Sequence, residues 1–107
     1  MIALEIIELT GESSARTYEG DALLIGRADS ADILLDRNSV SKSHARIERR
    51  GDRYILRDLG STNGTFLNSR RLRIEAALAP RDRIYIGEFI LRVRSIELAP
   101  QGDRRAS

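Results

Sequence analysis

Ala45-Arg46-Ile47-Glu48-Arg49-Arg50-Gly51-Asp52-Arg53-Tyr54-Ile55-Leu56-Arg57-Asp58 reads as a β-hairpin. Gly51-Asp52 is a two-residue connection of the kind hairpins favour. Pairing outward from it sets Arg49 opposite Tyr54, Ile47 opposite Leu56 and Ala45 opposite Asp58. That face carries the apolar pair and should meet the core. The other face holds Arg46, Glu48, Arg50, Arg53 and Arg57, with Ile55 as the exception. Side chains alternate with a period of two, so a slip by one residue would turn Arg46 and Glu48 inward. The register is therefore well specified.

A hairpin goes out and returns, so its open ends are neighbours. Ser39-Val40-Ser41-Lys42-Ser43-His44, just before it, must lie beside Gly60-Ser61-Thr62-Asn63-Gly64, just after it. Asn63-Gly64 is a strong turn signal, because both residue types tolerate positive φ. Ser61 and Thr62 add hydroxyls and Asn63 adds a carboxamide. Two hydroxyl-rich loops thus meet at one end of a sheet with Lys42 between them, an arrangement suited to binding a ligand by hydrogen bonds.

The rest of the chain has the same texture. Short apolar runs with a two-residue period span Ile2–Leu9, Ala15–Tyr18, Ala22–Gly26, Asp32–Leu35, Thr65–Leu67, Arg70–Ile74, Arg83–Gly87 and Phe89–Leu98. Turn-forming residues bound each run, the pattern of an all-β sandwich or barrel. Glu75–Ala79 is expected to make a helical turn that Pro80 ends. In the last run Phe89, Leu91 and Val93 alternate with Ile90, Arg92, Arg94 and Ile96. That mixed outer face suggests an outer strand. One domain is expected over residues 1–99, with 100–107 a disordered tail or the start of a linker, since Gly102–Ser107 lacks an apolar anchor.

Composition narrows the chemistry. The 107 residues hold no cysteine, which excludes thiol chemistry, disulfides and cysteine–zinc sites. His44 is the only histidine, so a histidine-rich metal site is excluded too. Ser41 and His44 lie three apart, but nothing supplies an oxyanion hole or a third triad member. Ser39-Val40-Ser41-Lys42 matches the Ser-x-x-Lys string of penicillin-binding enzymes, yet that motif needs a helix in a far larger domain. No catalytic residue, metal or cofactor is expected. The formal charge of +2 gives no broad basic field, which argues against nucleic acid as a partner. Glu5 and Glu8 interrupt the N-terminal apolar run, which reads as neither a signal peptide nor a membrane span. A cytoplasmic location is expected.

One further pair completes the pattern. Gly26-Arg27 closes the apolar run Leu23-Leu24-Ile25; the glycine permits a tight turn, and arginine's planar fork matches a phosphate or carboxylate. Gly26-Arg27, then Ser41-x-x-His44, then Asn63-Gly64, in that order, resemble the forkhead-associated domain family over about Ile2–Leu98. The resemblance implies an eleven-stranded β-sandwich of two twisted, mainly antiparallel sheets, of the kind shared with SMAD domains. It also implies N- and C-terminal strands close together and a phosphothreonine peptide bound by loops at one end. By the family's pattern Arg27 pairs with the phosphate and Ser41 donates its hydroxyl to it. Lys42 adds a contact, Thr62 supports the phosphate, and Asn63 bonds the peptide backbone. His44 would be a buried brace, and Gly26 and Gly64 backbone-shape residues. Specificity would come from Arg37, Asn38, Ser39, Asn68, Ser69 or Arg70, while Asp29, Asp32 and Asp36 read as turn caps.

The function implied is a phosphothreonine-dependent interaction module in Ser/Thr kinase signalling or a regulated assembly. Its partner would be a phosphothreonine-containing protein or peptide, with further domains of the same parent chain possible. The alternative is a structural interaction domain of the same fold that binds without phosphate.

Overall fold

A computed structural model describes residues 1–98; the expected tail or linker at 100–107 lies outside them. Eleven strands follow in chain order: β1 Ile2–Glu8, β2 Ser13–Tyr18, β3 Ala22–Gly26, β4 Ile33–Leu34, β5 Ala45–Arg50, β6 Arg53–Asp58, β7 Thr65–Leu67, β8 Arg70–Arg71, β9 Glu75–Ala77, β10 Arg83–Ile86 and β11 Phe89–Ile96. They form a six-stranded sheet, β2-β1-β11-β10-β7-β8, and a five-stranded sheet, β4-β3-β5-β6-β9. The β3–β4 pair is parallel, and the other pairs in the five-stranded sheet are antiparallel. The expected sandwich is therefore present. The first and last strands pair, as the family resemblance implied.

The central hairpin has the expected register, Ala45 opposite Asp58, Ile47 opposite Leu56 and Arg49 opposite Tyr54. Ala45, Ile47, Tyr54 and Leu56 are buried in one core with Ile2, Leu4, Ile25, Ile84, Ile86 and Leu91.

Three expectations fail. Glu75–Ala77 is a strand, not a helical turn, and pairs with β6 through Ile55–Ala77, Leu56–Ala76 and Arg57–Glu75. Local helix preference over so few residues is weak beside the hydrogen bonds an open sheet edge offers. Glu75 also reaches across to Arg50 at 2.7 Å and Arg57 at 3.5 Å. The strand expected over Arg70–Ile74 shortens accordingly to Arg70–Arg71. In addition, β11 is not an outer strand but lies between β1 and β10. Its half-exposed face belongs to the outside of the sandwich, where Arg92 pairs with Glu5 at 3.2 Å.

This topology brings three connections to one end. Ile25 pairs with Ala45, so Gly26-Arg27 at the end of β3 meets the residues preceding β5. Ala45 pairs with Asp58, so the same residues meet the loop leaving β6.

Candidate functional site

Gly26 is where the first two loops touch. Arg27 N–H donates to the Ser41 carbonyl at 3.1 Å and Ala28 N–H to the Lys42 carbonyl at 3.2 Å. A Cβ at Gly26 would collide with the Lys42 carbonyl oxygen. Glycine is required here by close backbone approach. Gly26→Ala is expected to cost about 1–3 kcal/mol by forcing the backbone apart, read by urea denaturation, and to displace the Ser41 loop.

Zipped to that loop, Arg27 turns its side chain back across it. Nε donates to the Val40 carbonyl at 2.9 Å. One of the five guanidinium N–H groups is thereby used, and both terminal nitrogens keep theirs.

His44 joins the second loop to the third. Its ring is fully buried. Nδ1 accepts the Ser41 N–H at 3.0 Å, and Nε2 donates to the Gly64 carbonyl at 2.9 Å. Those roles select the Nε2–H tautomer. Its backbone is held on both sides as well, donating to Ile25 at 2.9 Å and accepting from Leu59 at 3.0 Å. The Ser-x-x-His spacing thus closes a turn through its own side chain.

Asp58 shapes the third loop. Its carboxylate accepts from Gly60 N–H at 3.0 Å, Ser61 N–H at 3.1 Å, the Ser61 hydroxyl at 2.6 Å and the Thr65 hydroxyl at 2.7 Å. Partial burial works against the charged form, but the hydrogen bonds from Ser61, Thr65 and Gly60 outweigh it and hold the carboxyl below its usual range. A carboxyl depressed in the folded state contributes stability that is present above the unfolded value and lost as pH falls through the folded one. Asp58→Asn is expected to cost about 1–2 kcal/mol at neutral pH, a modest figure because the group is partly solvated. Denaturation at a series of pH values should show that difference closing below about pH 4.

Arg27, Ser41, Lys42, Thr62 and Asn63 all line one pocket of about 350 Å³, with Asn38, Ser39 and Val40 completing it. Ser41 Oγ accepts the Thr62 N–H at 3.1 Å, which leaves the Ser41 hydroxyl hydrogen free to donate. Thr62 can therefore reach a ligand through its hydroxyl rather than its backbone N–H. Asn63 Nδ2 donates to the Ser39 carbonyl at 2.9 Å. One amide hydrogen and the carboxamide oxygen of Asn63 remain for a ligand. Gly64 is buried with φ at +86°, as a backbone-shape residue must be. The pocket offers a guanidinium fork, an ammonium and the hydroxyls of Ser39, Ser41 and Thr62, and among its lining residues there is no carboxylate. Donors of these kinds are chemically suited to an oxyanion.

Other sequence candidates are placed elsewhere or already engaged. Arg37 is bound to Glu8 at 3.0 Å and lies 3.9 Å from Glu88. Asp32 caps no local turn; it accepts the N–H of Leu24, eight residues back, at 2.8 Å. The carbonyls of Val40 and Ser39, which aim Arg27 and Asn63, carry no signal in sequence. Asp58 carries one: an aspartate before Gly60 can accept the N–H two residues on in an Asx turn, as it does here at 3.0 Å.

Residues 23–87 match the family model of the FHA domain. The chain is 44% identical over 66 residues to an oxoglutarate dehydrogenase inhibitor of Corynebacterium jeikeium, covering 62% of this chain and 45% of that protein. It spans about half the length of the curated relatives it matches. A solved FHA domain studied for phosphothreonine-dependent interactions superposes with a TM-score of 0.77 at 31% identity, over 91% of this chain and 98% of that one. EmbR of Mycobacterium tuberculosis, solved with a low-affinity phosphopeptide, gives a TM-score of 0.74 at 30% identity, over 87% of this chain and 24% of that one. Among the described residues no helix is long and apolar enough to cross a membrane.

Proposed function

Because the chain belongs to the forkhead-associated (FHA) domain family, we propose that its pocket binds a phosphothreonine peptide, and that the chain acts by binding rather than catalysis. A phosphate monoester carries about −1.5 to −2 charges and three strong acceptor oxygens. The terminal nitrogens of Arg27 and the ammonium of Lys42 meet the charge. The hydroxyls of Ser41 and Thr62 take remaining lone pairs, and Asn63 uses its free carboxamide atoms on the peptide backbone. Gly26, His44 and Gly64 hold the three loops at the spacing the phosphate requires. The observation that carries this reading is the Arg27 side chain, tied by Nε to Val40 and bordering the same pocket as Ser41 and Asn63. The domain would recruit phosphorylated partners of Ser/Thr kinases in the cytoplasm, or bind a phosphorylated segment of its own parent chain.

A phosphothreonine peptide library with phosphoserine and unphosphorylated controls tests this. Selective capture of phosphothreonine peptides is the expected result. Equal capture of unphosphorylated peptides would instead favour a phosphate-independent interaction domain.

A further inference from the structure

A sheet with one face on the core and one in water alternates apolar inward and polar outward. On the outer face of the six-stranded sheet that rule fails along one row. Phe66 stands opposite Tyr85, Tyr85 opposite Ile90, and Ile90 opposite Ile7, so β7, β10, β11 and β1 each contribute one apolar side chain. Their chain neighbours Thr65, Ile86 and Leu91 are buried in the core, which puts the row on the outside. Phe66 is 37% exposed, and the other three are half-buried. Strands lie about 4.8 Å apart, so the row runs for about 14 Å. Single exposed apolar residues are normal on a protein surface, but a contiguous patch marks an interaction site.

The charges beside the row are of one sign. Two residues along the strands, Arg83 stands directly opposite Arg92. Like charges that face each other across strands are destabilising. Arg92 has Glu5 at 3.2 Å. Arg94, exposed, lies on the same face two residues beyond Arg92. Among the described residues no carboxylate is within ion-pair distance of Arg83 or Arg94. Among the described residues of these four strands, Glu5 is the one carboxylate that the alternation turns outward. The apolar row is therefore bordered by an excess of guanidinium groups.

We propose that this face docks an acidic amphipathic helix of a partner protein, its apolar stripe on the row from Phe66 to Ile7 and its bordering carboxylates on Arg83, Arg92 and Arg94. Charge complementarity selects an acidic partner and disfavours a second copy of the same face, which would set arginine against arginine. An extended strand laid on the face would leave its backbone groups unpaired, whereas a helix satisfies its own. Helix on sheet is an ordinary way to pack two layers. The row matches about three helical turns at about 5.4 Å each. Single-stranded nucleic acid would need flat rings to stack on, and two members of the row are isoleucines. None of the four strands lines the phosphate pocket, so the face and the pocket can be occupied together.

The probes are synthetic helical peptides: one with a leucine stripe bordered by glutamates, a twin with lysines for the glutamates, and a scrambled peptide without the stripe. An oligothymidylate is the nucleic-acid control. By fluorescence anisotropy, wild type is expected to bind the glutamate peptide about tenfold more tightly than either other peptide, with ¹H–¹⁵N shifts on β1, β7, β10 and β11. Phe66→Thr keeps a β-favouring residue and should weaken the glutamate peptide about tenfold. Arg83→Glu should weaken it by a similar factor and turn the preference toward the lysine twin. It also sets a carboxylate opposite Arg92, so thermal melts should show no loss of stability. Phosphothreonine-peptide affinity should be unchanged in both variants, which separates this face from the pocket. Failure of the glutamate peptide to bind, equal binding of all three peptides, shifts centred on residues 40–43 and 61–64, or an affinity that neither variant moves overturns the proposal. Oligothymidylate binding that Phe66→Thr removes would overturn it in favour of nucleic acid. Self-association that Phe66→Thr removes, read by sedimentation velocity, would overturn it in favour of a second copy.

Discussion

Arg27→Ala is expected to weaken binding of a good phosphothreonine peptide by about 2–5 kcal/mol, roughly 30- to 5000-fold in Kd. The range is that for removing one partner of a desolvated, hydrogen-bonded charge pair. Arg27 is poised for this role because its backbone and its Nε are both anchored to the Ser39–Lys42 loop, so few rotamers are lost when the terminal nitrogens take a ligand. Arg27→Lys keeps the charge but loses the fork and the Val40 bond, and should recover only part of the loss. Calorimetric titration gives both values. Circular dichroism melts should show the variants still folded, since the side chain is only partly buried. Unchanged affinity in Arg27→Ala would remove Arg27 from the site.

His44→Ala is expected to have the largest effect on stability. It leaves a cavity where a fully buried ring stood and orphans the Ser41 N–H and the Gly64 carbonyl. Cavity and lost hydrogen bonds together should cost about 3–5 kcal/mol by urea denaturation. His44→Phe fills the site with a somewhat larger ring that lacks the hydrogen bonds, so no cavity forms and its cost should be smaller than that of His44→Ala. Peptide affinity should fall in both, because the ring is the buried tie between the Ser41 turn and the Asn63-Gly64 turn. A loss below about 1 kcal/mol in His44→Ala would mean the loops are held by other contacts.

The parts of this fold that were legible in sequence are those where pattern and pairing are local. Ile47, Tyr54 and Leu56 alternate with charged residues around a two-residue turn, so one register satisfies the core and its neighbour does not. The meeting of the Ser41 and Asn63 loops follows from that register alone. The position of Arg27 does not, because β3 joins β5 across an intervening loop and strand, and no periodicity encodes that pairing. Family resemblance supplied it. Glu75–Ala77 misled because three residues of helix-favouring composition were completing a sheet edge. β11 misled because one wet face was read as a place at the edge, when it marks an outer layer. Asp58 ends β6 as the strand pattern implies, but that pattern does not show that its carboxylate gathers four donors and sets the next loop.

The central claim is that three loops converge so that Arg27, Ser41, Lys42 and Thr62 meet one phosphate and Asn63 the peptide backbone beside it. The most direct measurement is a pair of ¹H–¹⁵N NMR titrations, one with a phosphothreonine peptide and one with its unphosphorylated twin, following backbone amides and the side-chain signals of Arg27 and Asn63. The phosphopeptide should shift the Arg27 and Asn63 side-chain resonances and the amides of residues 40–43 and 61–64, while the twin leaves them in place. Shifts centred on another face of the sandwich, or identical shifts from both peptides, would contradict it.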